Sequence, residues 1–352
     1  MSQKIRVVIN GAGRIGRAVL RAFFDYPERY RDMTLVAIND PHDAEVLCHL
    51  LRYDSVHGKA SFPITTSPGK LHCGDHTMDL VQTREIAALP WAALDVDVVL
   101  ECTGRFKSRQ DNQAHLDAGA KRVILSAPGA EDVTTTMVLG ANEHDVDQQD
   151  AILSIGSCST NALAPVLRVI QEHNAIASGF VTTVHAYTKD QSLVDSHHKD
   201  LRRARAAACS IIPTKTGAAK AIGKVLPVLA GKLDGYALRV PTANVSVLDI
   251  SLSLSCATTG GEVNTWLTEA AKRDKLGFMA VTDEPLVSCD FNHHPASCVV
   301  DLLQTQIVGD MLKLVVWYDN EWGFANRMLD AVNHLASYKV NEQKQKAEAT
   351  SW

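Results

Sequence analysis

Lys4-Ile5-Arg6-Val7-Val8-Ile9-Asn10-Gly11-Ala12-Gly13-Arg14-Ile15-Gly16 is the stretch that decides the fold of the first half of this chain. Residues 4–10 form a short apolar run ending at glycines, the pattern of a buried parallel strand. Residues 14–25 then carry helical spacing, with Ile15, Val19, Ala22 and Phe23 on one face. Between strand and helix stands Gly-x-Gly-x-x-Gly. Gly11 permits the tight turn, Gly13 lets a pyrophosphate approach the backbone, and Gly16 lets helix and strand pack closely. The helix N-terminus adds unpaired N–H groups and a partial positive charge, both suited to phosphate. An acid, Asp40, ends the next strand (34–39), 24 residues after Gly16. Such an acid accepts hydrogen bonds from the adenine-ribose hydroxyls of NAD and repels the 2′-phosphate of NADP. Asp40-Pro41 also stands just before the helical pattern of 43–51, so a helix cap is the competing reading.

Further strand-like runs follow at 96–101 and 122–126, with a helix-compatible stretch from Ser108 to Ala118 between them. Strands alternating with helices imply βαβ units and a parallel sheet. Residues 1–157 are therefore expected to form an α/β Rossmann-type dinucleotide-binding domain. The texture changes after Cys158. Long strand patterns at 179–187, 235–241, 245–255, 298–306 and 311–318 are interrupted by helices near 160–173, 216–225 and 262–274. Residues 158–320 are expected to form an α+β catalytic domain on a mostly antiparallel or mixed sheet. Glu321 to Ala336 reads as an amphipathic helix, drawn to about 340, that completes the first domain. Residues 341–352 read as a polar tail.

Bulk composition excludes several classes. With 352 residues the chain has room for two cores, and 46% hydrophobic and 21% charged residues are ordinary for a globular protein. A net charge of −5 gives nothing for a nucleic acid to bind, so phosphate must be held by placed groups. Eight cysteines are scattered without a Cys-x-x-Cys pair, which suggests neither a zinc ribbon nor a redox dithiol. His293-His294 point apart on a strand and lack a third ligand, so no metal is assigned. No apolar run is long enough to span a bilayer, and Met1-Ser2-Gln3-Lys4 leads straight into a strand without a signal peptide. Free thiols in that setting point to a cytoplasmic protein.

Ser157-Cys158-Ser159-Thr160-Asn161 carries the chemistry. Cys158 sits where the pattern changes from strand to helix, and His185 follows 27 positions later, in His185-Ala186-Tyr187-Thr188. A free thiol has a pKa of about 8.5, so little thiolate exists at neutral pH. A helix N-terminus and a neighbouring imidazole are expected to bring it to about 6 or lower. Most free cysteines are simply small buried hydrophobes, which is the competing reading here.

Ordered motifs run through nearly all of residues 4–337: Ile9 to Arg17, Tyr53-Asp54-Ser55-Val56-His57-Gly58, Ser157 to Asn161, Leu201-Arg202-Arg203-Ala204-Arg205, Thr216-Gly217-Ala218-Ala219-Lys220, Arg239-Val240-Pro241-Thr242 and Trp317-Tyr318-Asp319-Asn320-Glu321. In these the chain resembles the phosphorylating glyceraldehyde-3-phosphate dehydrogenases and the related erythrose-4-phosphate dehydrogenases. The resemblance implies that Cys158 is the nucleophile and His185 its base. An aldehyde would be oxidised through a hemithioacetal and a thioester, which inorganic phosphate then cleaves to an acyl phosphate. It also implies two anion sites. Thr188 and Arg239 match the residues for the substrate phosphate; Ser159, Thr216 and Gly217 match those for the attacking phosphate, with Arg203 between and Ser157 beside them. Read alone, Thr216-Gly217 is a helix cap and Arg239 a surface strand residue. For the cofactor, NAD, the resemblance adds Arg14, Ile15, Thr103, Gly104, Phe106 and Ser126, and Asn320 for the nicotinamide carboxamide. The stretch 190–212 matches a loop that reaches a neighbouring subunit's cofactor site in a homotetramer.

Three departures stand out. Ser159 replaces the usual threonine, keeping the hydroxyl. Asp195-Ser196-His197 occupies the place of a Leu-Pro pair that blocks the NADP 2′-phosphate, so NADP use stays open beside NAD. The last third, from Phe291 to Met328, looks more like the erythrose-4-phosphate enzyme. Thr188 and Thr216 to Lys220, which typical members of that group lack, favour D-glyceraldehyde 3-phosphate. A non-phosphorylating aldehyde dehydrogenase would not need Thr216 and Ser159, and a non-catalytic binding protein would be expected to lose Cys158 or His185.

Overall fold

The structure, a computed structural model, describes residues 4–147 and 149–349, with side chains in the last helix through residue 336. It divides into two compact units. One comprises the residues through Met137, Asp145–Gly156 and those from Ala325 on; the other comprises Val138–His144 and Ser157–Phe324.

The first unit opens with β1 (Ile5–Asn10), α1 (Arg14–Asp25), β2 (Met33–Asn39) and α2 (Ala44–Arg52). A small ribbon, β3 (Tyr53–Asp54) and β4 (Gly58–Lys59), precedes β5 (Ile64–Ser67), β6 (Lys70–Cys73) and β7 (His76–Val81). Then come β8 (Val98–Glu101), α3 (Arg109–Asp117), β9 (Arg122–Leu125) and β10 (Ile152–Ser154). The main sheet runs β10-β9-β8-β1-β2-β7-β6-β5. From β10 to β7 all pairs are parallel, as the glycine turn and the alternation of strands and helices require. Beyond β7, β6 and β5 add an antiparallel edge that the alternation does not foretell. Val7, Val8 and Ile9 are fully buried, which accounts for the unbroken apolar run of β1.

Register places the strand ends together: Asn10 lies beside both Asn39 and Glu101. These buried polar ends satisfy one another. Asn39 Nδ2 donates to Asn10 Oδ1 at 2.7 Å, and Asn10 Nδ2 donates to Glu101 Oε2 at 2.5 Å. Trp91 Nε1 donates to His115 Nδ1 at 3.0 Å, which leaves His115 Nε2 to donate to Glu101 at 3.3 Å. The platform under the glycine turn is rigid for this reason.

The second unit contains α4 (Cys158–His173), β11 (Ile176–Ala186), β12 (Ile212–Lys215), α5 (Ala218–Val225), β13 (Leu233–Val240), β14 (Ser246–Leu254) and α6 (Gly260–Arg273). It continues with β15 (Met279–Thr282), β16 (Cys298–Asp301), β17 (Gln306–Val308) and β18 (Met311–Tyr318). The sheet order is β12-β13-β11-β14-β18-β16-β15, with β17 on β18. It is mixed: β11/β13 and β15/β16 are parallel, the rest antiparallel. Strict alternation in β14 buries Leu248, Ile250, Leu252 and Leu254 in one core with Leu163, Leu167 and Ile170 of α4.

Two expectations change. The run 298–306 is not one strand. Asp301 accepts the Leu303 N–H and the Trp317 indole N–H, which closes a 3₁₀ turn at Leu302–Gln304. The last helix, α7 (Trp322–Ala349), continues through 341–349, set apart above as a polar tail. Residues 350–352 of that tail lie outside the described residues. No helix among the described residues is long and apolar enough to cross a membrane.

Candidate active site

Cys158 is the first residue of α4, two positions earlier than the apolar pattern indicates. Ser157 caps the helix: its side chain accepts the Thr160 N–H at 3.1 Å. The thiol thereby sits in the first turn, where uncompensated N–H groups favour negative charge. β11 brings His185 to it, with Cys158 Sγ 3.6 Å from His185 Nε2.

The tautomer follows from the other ring nitrogen. His185 Nδ1 lies 2.6 Å from the Ala186 carbonyl oxygen, which only accepts, and 3.2 Å from Arg239 Nη1, which only donates; the much shorter contact puts the proton on Nδ1, and Nη1 turns to the Ala186 carbonyl and Thr188. Nε2 is then a bare lone pair facing the thiol. Burial pulls the imidazole down to about 3, and the nearby Arg239 guanidinium pulls the same way. His185 is neutral at physiological pH, the state a base requires.

The thiol corrects an expectation. Burial pushes Cys158 up from its ordinary value, while Arg239 and hydrogen bonds from Ser159 pull against that rise. The imidazole is neutral, and the thiol is drawn toward its protonated form rather than toward the expected thiolate. Desolvation outweighs the helix terminus because the sulfur is half-buried against the core of the second unit.

Arg239, on β13 beside β11, donates Nη1 to the Ala186 carbonyl at 3.2 Å and to Thr188 Oγ1 at 3.3 Å. Arg239 and Thr188 thus stand together near the thiol, as two parts of one anion site must. Thr216 Oγ1 accepts the Ala218 N–H at 3.2 Å, so it does cap α5. A capping hydroxyl still has its own proton to donate, and both Thr216 and Gly217 retain exposure. Arg203 is committed within its loop: its Nε donates to Thr214 Oγ1 at 2.9 Å and its Nη1 pairs with Asp190. Ser159 differs most from its assignment. Its hydroxyl lies 2.8 Å from the Tyr318 hydroxyl and the residue is 5% exposed, so its side chain is turned to the core. Asp195 pairs with Arg205 at 2.9 Å, and Ser196 Oγ meets Ser192 Oγ at 2.7 Å.

In the first unit the three glycines separate by role. A Cβ on Gly16 would lie 2.0 Å from the Gly11 carbonyl oxygen, so only glycine lets α1 cross the turn there. At Gly11, φ is +95° and a Cβ would meet Thr103 at 2.7 Å. At Gly13 a Cβ would meet nothing within 4 Å, and α1 has no side-chain cap. Open space in front of an uncapped helix start fits a pyrophosphate. The side chain of Arg14 is paired with Asp54 at 2.5 and 3.1 Å, so Arg14 and Ile15 offer a phosphate their backbone rather than a guanidinium.

Asp40 accepts the Ala12 N–H at 3.0 Å, the His42 N–H at 3.0 Å and the His42 ring at 2.6 Å. It does not cap α2; Asp43 does, accepting from Glu45 and Val46. Thr103 binds Glu101 Oε1 through its N–H at 2.8 Å and through its hydroxyl. Gly104 follows at φ +67°, Asn112 binds the Phe106 carbonyl, and the Ser126 N–H binds the Glu101 carbonyl at 3.0 Å. Together they form the loop ends over the β8 and β9 termini. Asn320 follows β18 and is 5% exposed, its Oδ1 accepting from Ser246 Oγ at 2.8 Å.

Sequence reasoning missed Tyr318, Ser246 and Thr183. One signal was available: Leu312, Leu314, Val316 and Tyr318 share the inward parity of β18, and a buried tyrosine hydroxyl needs partners.

The family models for the glyceraldehyde 3-phosphate dehydrogenase NAD binding domain and C-terminal domain match residues 5–109 and 157–320. A glyceraldehyde-3-phosphate dehydrogenase of Cupriavidus necator, plasmid-encoded, is 48% identical over 332 residues, 94% of this chain and 98% of its own. Glyceraldehyde-3-phosphate dehydrogenase 2 of Bacillus subtilis is 47% identical over 338 residues, 95% of this chain and 97% of its own. The Pseudomonas aeruginosa glyceraldehyde-3-phosphate dehydrogenase is 48% identical over 334 residues, 95% and 98% of the two chains. The chain belongs to the glyceraldehyde-3-phosphate dehydrogenase family of NAD-dependent oxidoreductases acting on an aldehyde group.

Proposed function

We propose that this protein oxidises D-glyceraldehyde 3-phosphate to 1,3-bisphosphoglycerate, with Cys158 as nucleophile and His185 as base. The observation that carries the reading is the bare Nε2 of His185, 3.6 Å from the Cys158 thiol and fixed in that tautomer by the Ala186 carbonyl.

His185 Nε2 takes the thiol proton as sulfur adds to the aldehyde carbon, and the C=O electron pair moves to oxygen. The imidazolium returns that proton to the oxygen, giving a hemithioacetal and a neutral ring again. Bound NAD supplies the acceptor for the hydride. As the hydride departs, His185 removes the hydroxyl proton and the carbonyl re-forms as a thioester on Cys158. A phosphate oxygen then attacks the thioester carbon, the C–S bond breaks, and the sulfur leaves with its electron pair. The low pKa of His185 suits this cycle, because the ring gives its proton back readily. Arg239 with Thr188 hold the substrate phosphate, while Thr216 and Gly217 hold the attacking one. Arg203 keeps the loop carrying Asp190 and Asp200 against Thr214. The glycine turn, Asp40 and the Thr103 to Phe106 loop receive NAD, and Asn320 receives its carboxamide. The protein assembles as a homotetramer, a reading supported by the family resemblance of the loop at 190–212, and acts in the cytoplasm, a reading supported by its free cysteines.

The aldehyde is the point to test. With phosphate present, kcat/KM for D-glyceraldehyde 3-phosphate should exceed that for D-erythrose 4-phosphate by tenfold or more, on the order of one well-placed contact. A higher value for the erythrose substrate would show that the C-terminal signature outranks Thr188 and Arg239.

A further inference from the structure

Tyr318, the last residue of β18, is buried beneath the thiol-bearing turn and pairs in register with Ser246, the first residue of β14. Its hydroxyl has two hydroxyl partners, Ser159 and Thr183, both at 2.8 Å. Donor counting gives its register partner, Ser246, a direction. Ser246 Oγ accepts the Ala186 N–H at 3.1 Å and donates its single proton to Asn320 Oδ1 at 2.8 Å. Its one proton is thereby committed to the asparagine. The Asn320 carbonyl is occupied and the Nδ2 protons are left to donate.

The backbone around both ends is clamped. Asp319 Oδ1 accepts the Glu321 and Trp322 N–H groups at 2.9 and 2.7 Å. Its Oδ2 accepts Asn244 Nδ2 and the His293 N–H, both at 2.8 Å. Val245, immediately before Ser246, sits at φ +66°. A β-branched residue adopts that conformation only when its surroundings impose it. The turn at 244–246 and the strand end at 318–320 are thus locked to each other, with Ser246 Oγ aimed at Asn320.

We propose that Ser246, oriented by the Ala186 N–H, is a positioning residue for the cofactor: it holds the Asn320 amide so that its N–H₂ group, and not its oxygen, meets the nicotinamide carboxamide oxygen. The inference rests on the reading of Asn320 as the carboxamide ligand. Without the Ser246 hydroxyl the amide is free to flip, and in one of its two orientations an oxygen would face an oxygen.

The test is the Kd for NAD, measured by titration calorimetry on the full-length protein without aldehyde. Asn320→Ala should weaken NAD about tenfold, and Ser246→Ala about fivefold, the size of one lost hydrogen bond in each case. Ser246→Ala added to Asn320→Ala should cost nothing further, because Ser246 acts through Asn320; a merely structural loss would add. Ser246→Thr, which restores the hydroxyl, should bring Kd back to within about twofold of the parent. If Asn320→Ala leaves Kd unchanged, the reading of Asn320 itself fails. If Asn320→Ala weakens binding but Ser246→Ala does not, or the two losses add, the positioning role of Ser246 is overturned.

Discussion

Replacing Cys158 by serine lowers turnover by about 10⁴-fold or more, because the hydroxyl ionises far less readily than the thiol and the thioester can no longer form. Cys48, Cys73, Cys102 and Cys298 are buried, while Cys209, Cys256 and Cys289 are exposed. Among the described residues none of the exposed three hydrogen-bonds to an imidazole, as Cys158 does to His185, so serine at Cys256 or Cys289 leaves most of the activity. Burial holds Cys73 at about 12 and drives Cys102 higher still, which keeps both inert toward alkylation at neutral pH. Labelling with iodoacetamide should accordingly remove activity in proportion to the carboxamidomethyl group found on Cys158 by peptide mapping. Full inactivation with Cys158 unlabelled would refute the assignment.

The second large effect is at His185. His185→Asn keeps a polar group of similar size but removes the basic Nε2, and it should cost about 10²- to 10⁴-fold in kcat, the usual range for a placed base. The parent ring is pulled down to about 3, so lowering pH to the ordinary imidazole range does not protonate it. The acid limb of the parent's kcat profile should therefore lie well below about 6.5, the usual imidazole value. An asparagine variant with parental kcat, or a parent limb centred near the ordinary imidazole value, would remove His185 from the role of base.

The first unit was largely legible because its signals are local. A strand, three glycines with fixed offsets and a helix follow one another over Ile5–Asp25, and at Gly11 and Gly16 the structure shows the close contact that demands glycine. The position of Asp40 was legible too: it follows β2 directly, and its carboxylate accepts the Ala12 N–H of the glycine turn. The antiparallel edge at β5 to β7 was not, because its short strands carry little apolar periodicity. Cys158 and His185 were found by residue type, yet their charge state was not. Whether a thiol at a helix start is lowered or raised depends on how much protein surrounds the sulfur, and sequence spacing carries no measure of that. The hydroxyl groups around Tyr318 were illegible for another reason. Ser159, Thr183, Ser246 and Tyr318 are far apart in sequence; the pairing of β11, β14 and β18 gathers the last three, and α4 brings Ser159 to Tyr318. Pairing also explains Arg239, which reads as a surface strand residue until β13 is laid parallel to β11 and His185 becomes its register partner.

The most direct test of the central claim, a thioester on Cys158 that phosphate releases, is a stopped-flow measurement of reduced nicotinamide. Protein is mixed with NAD and D-glyceraldehyde 3-phosphate in phosphate-free buffer, and inorganic phosphate is then added. The account predicts a burst of about one equivalent per Cys158 followed by slow turnover, the signature of an accumulating acyl-enzyme. It further predicts that phosphate restores rapid multiple turnover with acyl phosphate as product. Sustained turnover without phosphate and without a burst would contradict it.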